Sequence, residues 1–391
     1  MKNRANTAWG IGALALVALA GCNKQSTDGG APSASAPAAS GSAAEASGPL
    51  TLEQYEQLIV ALASCKTVES ESTYYGSIDG SCPAYKALQA ARAKKDAMKN
   101  ISGKTAPLTR KLLGHASPAV RVQAAGMVES LFGTTGDNQK AVTDLARSEK
   151  DIAVLKALIH AVSNDGKKNP EVGAMLLSLA GHENPRVRAT AAVGISSSWN
   201  KGMPGAVEKL IQIMQSDADP RTRQAACAYA GEHDDDRLLP VYGKLTGPGA
   251  EPALAAECFT GLLRMWASYP LFANANEKAY RLSLKVLAQK PRTDKLPPWT
   301  TMGTFENVGK GKGTSFDKWV ARAKWYDRKE VKKAMLEVAA DKGGNWLGRA
   351  GAVRAAVANG ATKAELEALK KKLGDDRQVV SQIDKSMAEA R

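Results

Sequence analysis

The stretch Pro118-Ala-Val-Arg-Val-Gln-Ala-Ala125 returns as Pro185-Arg-Val-Arg-Ala-Thr-Ala-Ala192 and again as Pro220-Arg-Thr-Arg-Gln-Ala-Ala226. Weaker copies start at Asp151 and Pro252, so successive starts lie 33, 34, 35 and 32 residues apart. A repeat with a period of roughly 20–50 residues marks a solenoid, in which stacked units bury one continuous core. Each clear copy opens on a polar residue followed by proline: Ser117-Pro118, Asn184-Pro185, Asp219-Pro220. The polar side chain caps a helix and proline suits its first position. The alanine pair that follows lets the helix lie close to its neighbours. A second amphipathic helix is predicted in each unit, over Gln139 to Ala146, Glu171 to Leu179, Ala206 to Met214 and Arg237 to Leu245. The spacing therefore predicts an all-α superhelix.

Composition agrees. Of 391 residues, 44% are hydrophobic but only 5% aromatic, so the apolar share is carried by Ala, Leu and Val. That mixture suits helices better than strands. It excludes a disordered, collagen-like or multi-span membrane chain.

Outward from the repeats (116–268) the chain changes. Residues 50–115 read as an N-terminal helical cap: Thr51-Leu-Glu-Gln54 has the form of a capping box, and Pro83 to Met98 is the partner helix. Residues 269–391 read as a basic, Trp-containing helical region. From Leu262 onward there are 26 Lys and Arg against 14 Asp and Glu, and nearly all of the net charge of +14 resides there. Five of the seven Trp are there too: Trp266, Trp299, Trp319, Trp325 and Trp346. Residues 290–314, rich in Pro, Gly and Lys, are expected to form a long loop. Basic charge beside Trp suits an anion or a sugar, with Lys310, Lys312, Trp319 and Trp325 as candidate contacts. The competing reading puts Lys on solvated helix faces and Trp in the core.

Five cysteines are present: Cys22, Cys65, Cys82, Cys227 and Cys258. If Cys22 is set aside, four remain, and sequence proximity favours Cys65–Cys82 and Cys227–Cys258 among the three possible pairings. The first pairing closes a polar loop and adds ~3 kcal/mol in the chain-entropy picture. The alternative is that the four act as small buried hydrophobes.

The first residues resemble a bacterial export signal. Lys2 and Arg4 precede an apolar run from Ile11 to Ala20, about half of the ~20 residues that span a bilayer. Leu19-Ala20-Gly21-Cys22 resembles the lipobox of bacterial lipoproteins. The resemblance implies removal of residues 1–21 and acylation of Cys22, palmitate included. Each buried CH₂ then adds ~0.8 kcal/mol of membrane affinity. Asn23, where an inner-membrane lipoprotein has Asp, implies the periplasmic side of the outer membrane, or the cell membrane of a one-membrane organism. From Asn23 to Gly48 the chain is Ser, Ala, Gly and Pro with few charges. Such a tether (22–49 with its lipidated Cys) reaches roughly 28 Å on average by random-coil scaling.

The repeated lines resemble HEAT repeats of the short, Ala-rich type, well over 115–268 and in a degenerate late copy at Asn345-Trp346-Leu-Gly-Arg-Ala-Gly-Ala-Val353. The resemblance implies an extended concave face that binds another macromolecule, usually a protein. Some members of this type are bilin lyases, but no residues here carry that chemistry over. Arg121, Arg188 and Arg223 share one repeat position, where they serve either the next repeat or a ligand.

Catalytic and cofactor motifs fail on spacing. Gly303 and Gly309 are separated by five residues where a phosphate-binding loop needs four, and Gly311 replaces its hydroxyl residue. His115, His160, His182 and His233 form no HxxxH pair, and Glu232-His233-Asp234-Asp235-Asp236 lacks the alternation of a calcium loop. No metal, cofactor or nucleic acid is expected. The expectation is a membrane-anchored, non-catalytic protein-binding scaffold. The alternatives are a binder of anionic envelope lipid or glycan, and an enzyme of unrecognised type such as a HEAT-type lyase. Labelling cells with radioactive palmitate should mark this chain, and Cys22→Ala should abolish the label and free the protein from the membrane fraction. Label retained in Cys22→Ala would refute the anchor.

Overall fold

The computed structural model describes residues 48–388 except 70–73, 95, 102–103, 131–135, 269–270, 290–299, 312 and 314. The leader, Cys22 and the tether lie outside the described residues. Among those described, nineteen α-helices follow one another. The first are α1 (Leu52–Val60), α2 (Pro83–Ala93), α3 (Ala106–Leu113), α4 (Pro118–Ser130), α5 (Gly136–Ala146), α6 (Ile152–Val162), α7 (Pro170–Leu179) and α8 (Pro185–Ile195). Next come α9 (Ala206–Ser216), α10 (Pro220–Ala230), α11 (Leu238–Leu245), α12 (Pro252–Trp266), α13 (Glu277–Ala288) and α14 (Thr300–Lys310). The last are α15 (Phe316–Arg322), α16 (Arg328–Ala340), α17 (Trp346–Ala358), α18 (Lys363–Leu373) and α19 (Arg377–Met387). A short antiparallel ladder joins β1 (Thr67–Val68) to β2 (Ser77–Ile78) between α1 and α2.

All five repeat starts open a helix: α4, α6, α8, α10 and α12. The cap chemistry is as the residue types require. Asp151 accepts from the Val154 amide, Asn184 from Arg186 and Asp219 from Thr222. These leading helices pack one on the next, and α14, α17 and α19 continue the row. The intervening helices α3, α5, α7, α9, α11, α13, α16 and α18 form the other layer, so the two layers make a stacked-helix solenoid. Among the described residues no helix is long and apolar enough to cross a membrane.

The leading helices approach until main chain meets main chain. A Cβ on Gly261 of α12 would stand 1.9 Å from the Cys227 carbonyl oxygen of α10, and one on Gly231 would stand 1.9 Å from the Gly261 carbonyl oxygen. Cys227 and Cys258 are disulfide-bonded across this gap with Cα atoms 4.4 Å apart, and Cys65 and Cys82 are likewise bonded. Tyr242 of α11 donates its hydroxyl to the Cys227 carbonyl at 2.9 Å.

Glycine also explains a departure from expectation. Part of the expected 290–314 loop is helix α14, with Met302, Phe305 and Val308 buried at helical spacing. Its Gly309 is not loop punctuation. A Cβ there would lie 2.8 Å from the Ala358 carbonyl oxygen of α17, so glycine admits the two helices to each other.

Polar side chains close both ends of the leading row. Arg121 makes two bonds to Glu149 (2.7 and 3.0 Å) and two to the His115 and Ala116 carbonyls. Arg188 repeats the pattern with Asp217 and the His182 and Glu183 carbonyls. Arg223 bonds the Asp217 carbonyl, and Arg349 of α17 bonds Asp376. The shared arginine position therefore stitches one repeat to the next. Burial pushes the Asp217 carboxyl up, but the bonds from Arg188 and the Asp219 amide, with the charges of Arg188 and Arg223, outweigh it and hold the group below its ordinary value. At the other end, three buried amides bridge carbonyls of successive leading helices or their caps. Asn200 donates to Ser163 and Gly194, Asn274 to Gly231 and Arg264, and Asn359 to Phe305 and Ala355.

Among the described tryptophans of the basic region, Trp266 and Trp319 are buried and Trp325 packs half-buried against them. Trp266, Tyr280, Phe305, Trp319, Trp325 and Tyr326 form one aromatic cluster where α12 to α16 meet. Trp319 is 1% exposed, and its indole N–H donates to the Trp266 carbonyl at 2.8 Å. Trp325 packs between Trp319 and Tyr280. The Trp319 ring is not placed for the ligand contact expected of it, because it completes the junction between helices, and Trp325 packs half-buried against that junction.

The close approach is testable. Gly261→Ala should lower the unfolding free energy by about 1–3 kcal/mol or more, since main chain must give way. Gly243→Ala in α11, where an added Cβ meets nothing nearer than 3.9 Å, should be neutral or stabilising by up to ~1 kcal/mol. Equal denaturation midpoints for the two variants would refute the account.

Candidate functional site

The leading-helix face is already partly occupied, by the chain itself. The Cys65–Cys82 disulfide closes the base of a segment that carries β1 and β2 and runs across that face. Its backbone lies against the start of α6. A Cβ on Gly76 would fall 1.7 Å from the Ala153 carbonyl oxygen, so only glycine fits. Thr67 donates its hydroxyl at 3.1 Å to Asp151, the residue that caps α6. Glu69 pairs with Arg186 of α8. Tyr75 meets the His160 ring of α6 edge to face at 4.3 Å, and Tyr74 meets Tyr229 of α10 edge to face at 6.0 Å.

The electrostatics change along this face. Lys156 of α6 is 1% exposed. Burial first, then the charge of Arg186, holds its ammonium below the ordinary lysine range, with Glu69 opposing. Burial pushes the Tyr74 hydroxyl up to about 12, and Tyr229 and Glu257 push the same way. Glu257 of α12 is itself raised, by burial first, with Arg264 opposing. The Arg264 guanidinium stacks over Tyr229 at 4.6 Å and pairs with Glu232 at 2.7 Å, leaving its buried Nε without a partner. Where the hairpin ends, α10 and α12 thus present Tyr229, Glu257 and Arg264 together.

The residues singled out from the sequence lie elsewhere. Lys310 pairs with Glu306 one turn before it, at 2.6 Å, and Glu306 also accepts from Arg354. Lys312 lies outside the described residues. Trp319 is in the core, and Trp325 packs half-buried against it. His115 and His182 shape the turns before α4 and α8, each Nδ1 accepting from the amide two residues on. His233 is buried with Nε2 donating to the Ile195 carbonyl at 3.0 Å, and burial holds it below its ordinary 6.5. The acidic run beside it is spent on cations and amides. Asp234 binds Lys201 and Asn276, Asp235 binds Arg237, and Asp236 binds Lys278 and Asn276. No group of three or more His, Cys, Asp or Glu among the described residues is arranged to hold a metal.

The sequence shows this segment only as a polar loop closed by Cys65 and Cys82. Its reach over α6, α8 and α10 was missed, and the available signal was Tyr74-Tyr75-Gly76, two aromatics and a glycine in an otherwise polar stretch. Gly76→Ala should lift the hairpin and raise amide exchange of residues 66–81 by about tenfold or more, while Gly80→Ala, with nothing within 4 Å of its added Cβ, should leave exchange unchanged. Equal exchange in both variants would show that the hairpin is not seated on α6.

Comparison with known proteins agrees with the architecture. The family model of HEAT repeats matches residues 140–230 and again 173–245. No curated protein matches the chain. These two matches fall on the helices α5 to α11, and the stack they belong to is a HEAT-type helical solenoid.

Proposed function

We propose that this chain is a lipid-anchored, non-catalytic scaffold on the periplasmic side of the outer membrane, and that its leading-helix face binds a partner polypeptide. One observation carries the reading: the face already holds a non-helical segment of its own chain. It does so by an aromatic edge, an ion pair, a hydroxyl on a carboxylate and main chain against main chain. Contacts of the same kinds suit a segment of another chain on the part of the face beyond the hairpin. The open part, around Tyr229, Glu257 and Arg264, offers a ring, an acid with little solvent and a guanidinium with one free N–H, which suits a polar or aromatic stretch of peptide. The lipobox-like Leu19-Ala20-Gly21-Cys22 supports the anchor. Anchor and tether together raise the local concentration of the face at one membrane, so modest contacts suffice.

The test is photo-cross-linking in intact cells from three positions: Tyr75 and Glu257 on the leading face, and Gln215 on α9 in the other layer. One and the same protein is expected from Tyr75 and Glu257 and not from Gln215. Its purified form should bind the wild-type chain and bind Glu257→Arg at least about tenfold more weakly. Capture from Gln215 alone, or of lipid alone from every position, would overturn the reading.

A further inference from the structure

The last two leading helices carry a surface of different chemistry. Trp346 opens α17, and Ala350 lies one turn on. Arg377, Ser381 and Lys385 stand at successive turns of α19, with Gln378 and Gln382 beside them. These residues line an open groove of about 350 Å³, within the size range of small-ligand sites. Trp346 is 42% exposed, where Trp266 and Trp319 are buried.

The groove is positively charged. Its lining contains no carboxylate. The two acids nearest in sequence are already committed: Asp376 accepts from Arg349 at 2.5 Å and from the Val379 amide, and Asp384 accepts from Lys370 at 2.6 Å. Arg377 and Lys385 are exposed, and among the described residues neither makes an ion pair. An unpaired guanidinium matches a carboxylate with two parallel bonds. The other groups are an open indole face, the Ser381 hydroxyl and two amides. Gln382 donates to Ser386 at 3.0 Å, which leaves its carbonyl oxygen free to accept. A flat apolar ring bordered by groups that both donate and accept suits a pyranose, whose C–H face stacks and whose hydroxyls do both. An acidic peptide would use the cations but leave the ring and the amides without matched partners.

We infer that this groove binds a carboxylate-bearing sugar chain, with a uronic acid unit stacked on Trp346 and its carboxylate between Arg377 and Lys385. The groove lies at the far end of the leading row from Tyr229, Glu257 and Arg264, and its chemistry does not depend on the reading proposed for them.

The test is calorimetric titration of the full mature chain with tetragalacturonate, beside neutral cellotetraose and tetraglutamate. Saturable binding of tetragalacturonate is expected, weakened at least about tenfold in Trp346→Ala and in Arg377→Ala, unchanged in Trp199→Ala, and weakening as salt rises. Trp346→Phe should retain part of the affinity, and circular dichroism melts should match wild type. Absence of saturable tetragalacturonate binding would overturn the inference, as would binding unchanged by Trp346→Ala. Tetraglutamate or cellotetraose binding as tightly would also overturn it, pointing instead to an acidic-peptide site or a neutral-sugar site.

Discussion

The distance between one leading helix and the next sets the rest of the structure. At α10 and α12 that distance is so short that a carbonyl oxygen occupies the place of a side chain, and only Gly231 and Gly261 allow it. A gap with Cα atoms 4.4 Å apart is also what lets Cys227 and Cys258 bond, since helices at the usual 8–10 Å axis separation rarely bring two Cα atoms so near. At α14 and α17, Gly309 does the same work. Ala and Gly in the leading row are therefore contact residues, and the large side chains lie between the layers and in the aromatic junction.

Close helices leave their ends short of water, and the polar side chains answer that need. The arginine of the repeat satisfies carbonyls of the preceding turn and reaches the acid that precedes the next cap. Glu149 and Asp217 accept in turn from the amides that follow them. Asn200, Asn274 and Asn359 take up carbonyls at the opposite ends. A buried carbonyl left unpaired costs roughly 1–3 kcal/mol, so each such side chain contributes mainly by preventing a loss.

Much of this was legible in the sequence, and the misses share a cause. Proline after a capping residue marked the starts of α4, α8 and α10, because capping and proline geometry are local. What needed a distant partner was hidden. Gly309 in α14 looks the same as a loop glycine until Ala358 is beside it. Trp319 and Trp346 carry the same ring, but only one has Trp266, Phe316 and Phe272 around it. The arginine position was visible as a repeat, but its partners 27 to 29 residues on were not assigned. The hairpin over α6 was hidden for the same reason, since Thr67 finds Asp151 84 residues later.

That separation has a consequence for the order in which the molecule assembles. Glu69 meets a partner 117 residues ahead of it, and Tyr74 one that is farther still. The hairpin leaves the ribosome, and crosses any membrane N-terminus first, well before α6, α8 and α10 exist to receive it. It therefore docks only after those later helices are made. Tyr75 waits for α6 and Tyr74 for α10, and until those helices stack the face they will cover stands open.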